Sequence, residues 1–288
     1  MIKDILASKR TKTILGNVLI YFFLALYALI LLFPFYIILI SSLRPSDETY
    51  QVPFQYYISQ WDFSGYKDIF TMDIYGVSFL KSLGNTLLYV IPPTLVGLIV
   101  SAIAGFSFSK LRFPFKNGFF TILMITMMIP GTVTMIPTFM IFNMLNWVDT
   151  PLPLIIPGLF GSIGTIFFMR QYFKGIPNAI IEAAKIDGMD YFRMFFKILV
   201  PLSMPVLISF GLMGFVGGFN DYFGPLLYLY SPEKFTLQIA LKFVGSAVGT
   251  NIQINLAACI ITMTPVLLLY IFFQKYFIKG IAVSGIKG

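Results

Sequence analysis

Six stretches of this chain stay apolar for about twenty residues or more: roughly 14–41, 83–108, 118–142, 152–172, 202–223 and 254–277. A helix rises about 1.5 Å per residue and the hydrocarbon core of a bilayer is about 30 Å thick, so each run can cross it once. Lipid offers no hydrogen bonds to the backbone, and runs of this length and pattern can satisfy their N–H and C=O groups as helices. Composition agrees: the chain is 58% hydrophobic and 11% charged, against about 25% charged in a water-soluble domain. Prolines at 34, 92, 93, 130, 137, 157 and 265 fall inside the runs, where neighbouring helices can re-satisfy the freed carbonyls. The stretch "MMIPGTVTMIPTF" carries two of them and reads as a broken helix with a re-entrant or interfacial turn. The expected fold class is an all-α integral membrane protein with six transmembrane helices. The first run is too long for the roughly 7–15 apolar residues of a signal peptide, and no small-residue cleavage site closes it, so it is expected to stay as an anchored helix.

Charge sets an expected orientation. With the N-terminus inside and six crossings, the inside segments hold Lys3, Lys9, Arg10, Lys12, Lys110, Arg112, Lys116, Arg170, Lys174, Lys185, Arg193, Lys197, Lys275, Lys279 and Lys287, which is 15 of the 20 basic residues. They hold four of the 12 acids: Asp4, Glu182, Asp187 and Asp190. Basic residues collect on the cytoplasmic side, so both termini are expected there. Two outside segments are long, 44–77 and 226–251, and neither has the period of a spanning helix. Each fits a partner-facing surface or a solvated loop with an interfacial helix. Gly97, Ser101 and Gly105 fall four apart, as do Gly214 and Gly218, with Gly211 and Gly217 beside them. Such spacing lets helix backbones approach closely, and packing within the bundle is its plainest reading.

The absences narrow the chemistry. The chain has no histidine and a single cysteine, Cys259. Hence no Ser/His/Asp or Cys/His catalytic set, disulfide framework or metal cluster is expected. No acid or base lies near the middle of a predicted span, which disfavours a proton- or sodium-coupled carrier. The phosphate-cradling pattern G-x-x-x-x-G-K-[ST] is missing as well. Transport powered by another chain is the remaining class; a membrane scaffold or sensor, and an enzyme with an intramembrane site, are its competitors.

One polar insert stands out: "PNAIIEAAKIDGMDYFRMFFKILVP", from Pro177 to Pro201. Asn178 reads as a helix N-cap, and Gly188 as a left-handed C-terminal cap. Asp190 reads as the N-cap of a second helix. There Phe192, Phe195, Phe196 and Leu199 share an apolar face, with Arg193 and Lys197 opposite. A basic amphipathic helix lying on lipid would explain the second helix. It does not explain the first, where Glu182, two alanines and Gly188 suit a groove on a protein partner.

"EAAKIDGMDYFRMFFKILVPLSMP" resembles the EAA motif of permease subunits of binding-protein-dependent ABC importers, with Glu182, Ala183, Ala184, Gly188 and Pro201 matching and Val200 where Leu is also common. The segments "FPFYIILISSLRP", "AGFSFSKLRFPFKN", "MMIP", "FNDYFGPLLYL" and "GIAVSGIKG" extend the likeness over nearly the whole chain. It runs to the carbohydrate branch, and most closely to the smaller permease of maltose-type systems. In this branch Trp often precedes the Asn–Asp pair; here Phe219 stands before Asn220 and Asp221.

The resemblance implies a type I ABC importer permease fold whose EAA loop, about 174–201, forms a coupling helix. It implies a cytoplasmic segment 1–13, a first helix and extracytoplasmic loop over 14–78, a five-helix permease core over 79–278 and a cytoplasmic tail over 279–288. Implied partners are a homologous second permease, two ABC ATPase subunits, an extracytoplasmic solute-binding protein, a sugar and the lipid bilayer, without nucleic acid. No cofactor, metal or catalytic residue is expected in this chain, ATP and Mg being carried by the ATPase subunits. Implied ATPase-coupling residues are Glu182, Ala183, Ala184, Asp187, Gly188 and Arg193, with Ser284, Gly285 and Lys287 of the tail at the ATPase interface. Binding-protein contacts fall on Ser231, Glu233, Thr236, Gly249 and Asn251, and the substrate pathway on Asn220 and Asp221. The implied cargo is a sugar or oligosaccharide, with glycerol phosphate or another polyol derivative as the alternative.

Overall fold

The computed structural model describes residues 2–49, 51–74, 76–247 and 251–285, with side chains over 14–49, 51–72, 76–246 and 251–276. In chain order the helices are α1 (Ile2–Ser42), α2 (Ser46–Thr49) and α3 (Ser64–Thr71), then a ladder of two two-residue strands, β1 (Asp73–Ile74) and β2 (Val77–Ser78). There follow α4 (Phe79–Lys110), α5 (Lys116–Met127), α6 (Gly131–Met144), α7 (Leu152–Leu159), α8 (Ile163–Gly175), α9 (Asn178–Ile186) and α10 (Tyr191–Met194). A π-turn, Phe195–Leu199, leads into α11 (Val200–Phe219), followed by α12 (Phe223–Tyr228), α13 (Leu237–Ala247) and α14 (Ile252–Gly285).

Among the described residues, five stretches are long and apolar enough to cross a membrane: Ile14–Ser42, Phe79–Lys110, Leu152–Gly175, Tyr191–Phe219 and Ile252–Tyr276. A sixth is available if α5 and α6, bent by 95° at their break, count as one span. This is the segment whose two prolines read as a broken helix, and Pro130 stands at the break as the residue before α6. The fold is that of an all-α membrane protein with five to six spans. The helices α1 and α14 extend beyond their predicted spans, from Ile2 and to Gly285.

The chain divides into two compact units, residues 1–69 with 245–261 and residues 70–244 with 262–288. In the first, Arg44 is fully buried. Its Nη1 donates to the Gln55 carbonyl at 2.9 Å, its Nη2 to the Ser41 hydroxyl at 3.1 Å, and its guanidinium lies 4.5 Å from the Phe54 ring centroid. These contacts pin the loop after α1. Gln253 closes the same unit, donating to the Asp62 carbonyl and accepting from the Ser64 hydroxyl.

The second unit is organised around α4. Helices in lipid gain nothing from hiding apolar surface, so they associate where small residues allow close contact. A Cβ built on Gly97 would stand 2.2 Å from the Gly158 carbonyl oxygen, one on Gly158 2.5 Å from Pro93, and one on Gly105 2.7 Å from Met169. Ser101 sits between Gly97 and Gly105 of α4, and its hydroxyl accepts from the Ser162 backbone N–H at 3.0 Å. Gly161, at φ +87°, makes the turn between α7 and α8 and comes against Ser101 as well. On another face of α4, Val90, Thr94 and Leu98 meet Gly218, Gly214 and Gly211 of α11 in antiparallel order. The small-residue stripes thus serve packing within the chain. Segment 226–251 is more than a solvated loop: α13 is apolar, and Leu237, Ile239, Ala240 and Val244 are buried.

Gly97→Ala should destabilise the protein by about 1–3 kcal/mol through overpacking. Gly217→Ala, whose new Cβ meets nothing within 4 Å, should be neutral or stabilising by up to about 1 kcal/mol. Thermal unfolding in detergent should place the midpoint of the Gly97 variant below the wild type and that of the Gly217 variant at or above it.

Candidate functional site

The insert forms two helices joined at Gly188. Ile181 and Ala184 of α9 are buried, while Glu182, Ala183, Lys185, Ile186 and Asp187 are exposed. Gly188 takes φ +76° and closes a Schellman cap: the Met189 N–H donates to the Ala184 carbonyl and the Gly188 N–H to the Lys185 carbonyl. The capping role expected of Gly188 therefore holds. Asp190 caps α10 as expected, accepting from the Arg193 N–H at 2.9 Å and pairing with its guanidinium at 3.3 Å, both side chains mostly exposed.

Three local expectations need correction. Asn178 is the first helical residue of α9, and Pro177 precedes it without a side-chain cap. The Asn178 side chain instead accepts from Lys110 Nζ at 2.8 Å; the same Nζ donates to the Ile176 carbonyl at 2.6 Å. Ala184 does not face a partner but packs into this chain's own core, because i, i+3 spacing places it on the face of Ile181. The second helix is not separate: α10, the π-turn and α11 run on as one stretch, Tyr191–Phe219. The π-turn alters the register there, so Met194, Phe195 and Leu199 are buried while Phe192 is 69% exposed and Phe196 40%.

Phe195 is the inner anchor of the insert. Its ring packs against Phe106 of α4 at 5.8 Å and Phe173 of α8 at 6.4 Å, and those two rings meet at 6.2 Å. The core around them joins Ala102, Met169, Ile181, Ala184, Met194 and Leu199. Two ties therefore hold α9 and α10 to the ends of α4 and α8: this aromatic triangle and the Lys110 clamp. No local pattern signals the second, since Lys110 and Asn178 stand 68 positions apart.

The same unit also holds a cavity of about 290 Å³. Its wall includes Tyr89, Thr94 and Ser101 of α4, Thr165 of α8, Asp221 and Thr236. Asp221 is exposed and accepts from the Gly224 N–H, whereas Asn220 is outside the lining and accepts from the Gln238 amide at 3.4 Å. Of the two pathway candidates, only Asp221 reaches this cavity. Thr236 is 3% exposed, and its hydroxyl has no hydrogen-bond partner among the described residues. It lines an internal wall and has almost no surface for an outside protein.

The remaining candidates are dispersed. Glu233 is exposed, and its carbonyl accepts from Asn85 at 2.9 Å. Asn251 accepts from the Ile254 N–H at the start of α14. Ser284 and Gly285 close α14, while Gly249 and Lys287 fall outside the described residues. Ser231 belongs to a polar hub that sequence reasoning missed, centred on Asp149. This carboxylate accepts from the Tyr230 and Ser231 N–H groups at 2.9 Å each, from the Ser231 hydroxyl, and from Lys234 Nζ at 2.7 Å. Asp149 also donates its own N–H to the Tyr228 carbonyl at 2.7 Å. Partial burial pushes its carboxyl up, but Lys234, the Ser231 hydroxyl and the two N–H groups outweigh that and hold it well below the ordinary carboxylate range. The hub fixes the 228–234 loop to the turn before α7. A lone acid between Trp147 and Pro151 was its only signal in the sequence.

With this geometry in view, the comparisons are decisive. The family model for "Binding-protein-dependent transport system inner membrane component" matches residues 97–283. This chain belongs to that family. The matched span takes in Gly97 and Gly105 of α4, the insert, and the cavity wall except for its Tyr89–Thr94 part. A permease protein of Halalkalibacterium halodurans, AraQ of an arabinooligosaccharides transport system, is 33% identical over 267 residues, 92% of this chain and 94% of its own. The AraQ protein of Bacillus subtilis is 31% identical over 268 residues, again 92% and 94%. The crystal structure of a bacterial ABC transporter involved in the import of the acidic polysaccharide alginate contains a chain that matches with TM-score 0.77 and 26% identity, over 94% of this chain and 98% of that one.

Asp149→Asn keeps the shape of the hub and removes its charge. With side chains of Lys234 and Asp149 34% and 29% exposed, the loss should be modest, about 1–2 kcal/mol at pH 7. A depressed folded pKa contributes stability above the ordinary carboxyl pKa, and that contribution falls away as the pH drops through the depressed value. The thermal midpoints of variant and wild type should therefore differ by a constant amount above about pH 5 and converge in acid below about pH 4.

Proposed function

We propose that this chain is the transmembrane permease subunit of an ATP-driven importer of sugars or oligosaccharides. It would form half of the translocation pathway and couple it, by alternating access, to separate subunits that hydrolyse ATP. The observation that carries the reading is the insert: a helix with one exposed face, bearing Glu182 and followed by Asp187, bolted by Phe195 and Lys110 to the same α4 that lines the cavity. Force applied to α9 therefore has a packed route to α4 and α8. A scaffold or sensor has no need for such a route, nor for family membership in binding-protein-dependent transport.

In this reading Glu182, Ala183, Asp187 and Gly188 form the docking face toward the ATPase, Arg193 flanks it, and Ala184 acts from the inside by seating the helix. The permease core is 79–278, with 1–13 and 279–288 cytoplasmic and the loop about 174–201 between them on the same side; the basic bias of these segments supports that orientation. A second permease, two ATPase subunits and an extracytoplasmic binding protein complete the assembly. The saccharide cargo follows from relatives named for arabinooligosaccharide and alginate transport, which leaves the glycerol phosphate or polyol alternative without support. The exposed Glu233 and the loop held by Asp149 face the binding protein in this arrangement.

The test is co-purification and uptake. Glu182→Lys and Gly188→Pro should each lose the ATPase on affinity purification and abolish accumulation of the cognate sugar, with the affinity of the binding protein for that sugar unchanged. Full ATPase binding and full transport by the Glu182 variant would refute the coupling role. Lys110→Met should retain the ATPase but lower the sugar moved per ATP hydrolysed, and Lys110→Arg should restore part of it.

A further inference from the structure

At the end of the second unit that carries the insert, four cations gather without a carboxylate among them. Lys110 closes α4, Lys116 opens α5, and Arg170 and Lys174 stand one turn apart near the end of α8. Lys110, Arg170 and Lys174 all lie near enough to Lys116 to act on its charge. Among the described residues no acid bridges any of the four.

Helix C-termini favour cations, and that accounts for part of the group. Lys110 donates to Ile176 and Asn178, and Lys116 to the Ser109 and Leu111 carbonyls at the end of α4. It does not account for the rest. Arg170 gives its Nε–H to the Phe108 carbonyl at 3.2 Å, and its guanidinium lies 3.8 Å from the Phe120 ring centroid. That stacking fixes the plane of the group, while its Nη donors have no hydrogen bond among the described residues. Lys174 is exposed and equally free of bonds. The arrangement is a preorganised set of donors held by an aromatic ring, a carbonyl and a helix end.

What lies beside the donors decides the occupant. Phe119, Ile122 and Ile125 of α5 are 54%, 58% and 56% exposed, and Phe115, just before the helix, is 82% exposed. A free anion has no use for such an apolar track, and an acidic protein surface would leave it uncovered. An amphipathic anion uses both parts, and basic pockets between transmembrane helices are where anionic headgroups bind. The geometry points to a site for one anionic phospholipid. Its phosphate accepts from the Arg170 Nη groups, from Lys174 and from the remaining N–H of Lys116, while its acyl chains lie along α5. Such a lipid would sit beside the Lys110 clamp and stiffen the end of α4 to which the insert is tied.

The experiment is native mass spectrometry of the purified full chain titrated with dioleoylphosphatidylglycerol or dioleoylphosphatidylcholine. Wild type should retain one phosphatidylglycerol at roughly tenfold lower lipid concentration than phosphatidylcholine. The double variant Arg170→Gln/Lys174→Gln should lose that preference. Lys174→Gln alone alters an exposed side chain, keeps the fold intact and should lose part of it. Equal retention of the two lipids, or a preference undiminished in the double variant, would overturn the proposal. So would displacement of the bound lipid by inorganic phosphate alone, which would mark a free-anion site. Loss of ATPase binding in the variants with phosphatidylglycerol retention unchanged would assign the cations to a protein partner and equally overturn it.

Discussion

The second unit depends on the approach of α4 to the broken helix α7–α8 at near backbone contact. Gly97, Gly105, Gly158 and Gly161 remove the side chains that would hold these elements apart, and Ser101 places a hydrogen bond in the space they leave. In a lipid solvent this contact substitutes for the hydrophobic effect that would join helices in water. Once α4 and α8 are fixed together, their ends form the platform on which the polar insert is mounted and their middle parts form one wall of the cavity.

The insert and the cavity are therefore two ends of one packed body. Phe106 and Phe173 project from the ends of α4 and α8 into the insert, and Phe195 returns between them. Edge-to-face and tilted rings of this kind resist sliding, since each ring blocks the others in a different plane. The π-turn that follows brings Phe195 and Leu199 inward together without a break in the helix. Ile181 and Ala184 of α9 thus share one continuous core with Ala102 and Phe106 of α4. The Asp149 hub has a related role at another site in the same unit, where a carboxylate with four donors holds the 228–234 loop in one position.

Much of this was readable from residue order. Apolar run length announced the spans, the two prolines of "MMIPGTVTMIPTF" announced the break between α5 and α6, and Gly188 announced its own turn. Local rules suffice in each case, because the deciding interactions join residues a few positions apart. The errors have one origin. Asn178 is a preferred capping residue, yet a lysine 68 positions earlier claims its side chain. Ala184 belongs to the family motif that suggests docking, yet its neighbours in space are the chain's own Phe and Met residues. The face of the second insert helix was projected at 3.6 residues per turn, and tertiary packing chose a wider winding.

The sequence by itself determined the solvent of this protein, the rough position of its apolar spans and the address of its polar insert. These follow from composition, periodicity and short-range backbone rules. Tertiary structure decided which side of α9 is free, that Thr236 is an internal wall residue, that Asp221 and not Asn220 reaches the cavity, and that Asp149 and Lys110 are the organising charges. Those outcomes depend on partners 60 to 150 positions away, such as Asn178 for Lys110 and Asn85 for the Glu233 carbonyl. No local pattern records such pairings, because which side chains meet is set by how closely the glycines let the helices approach.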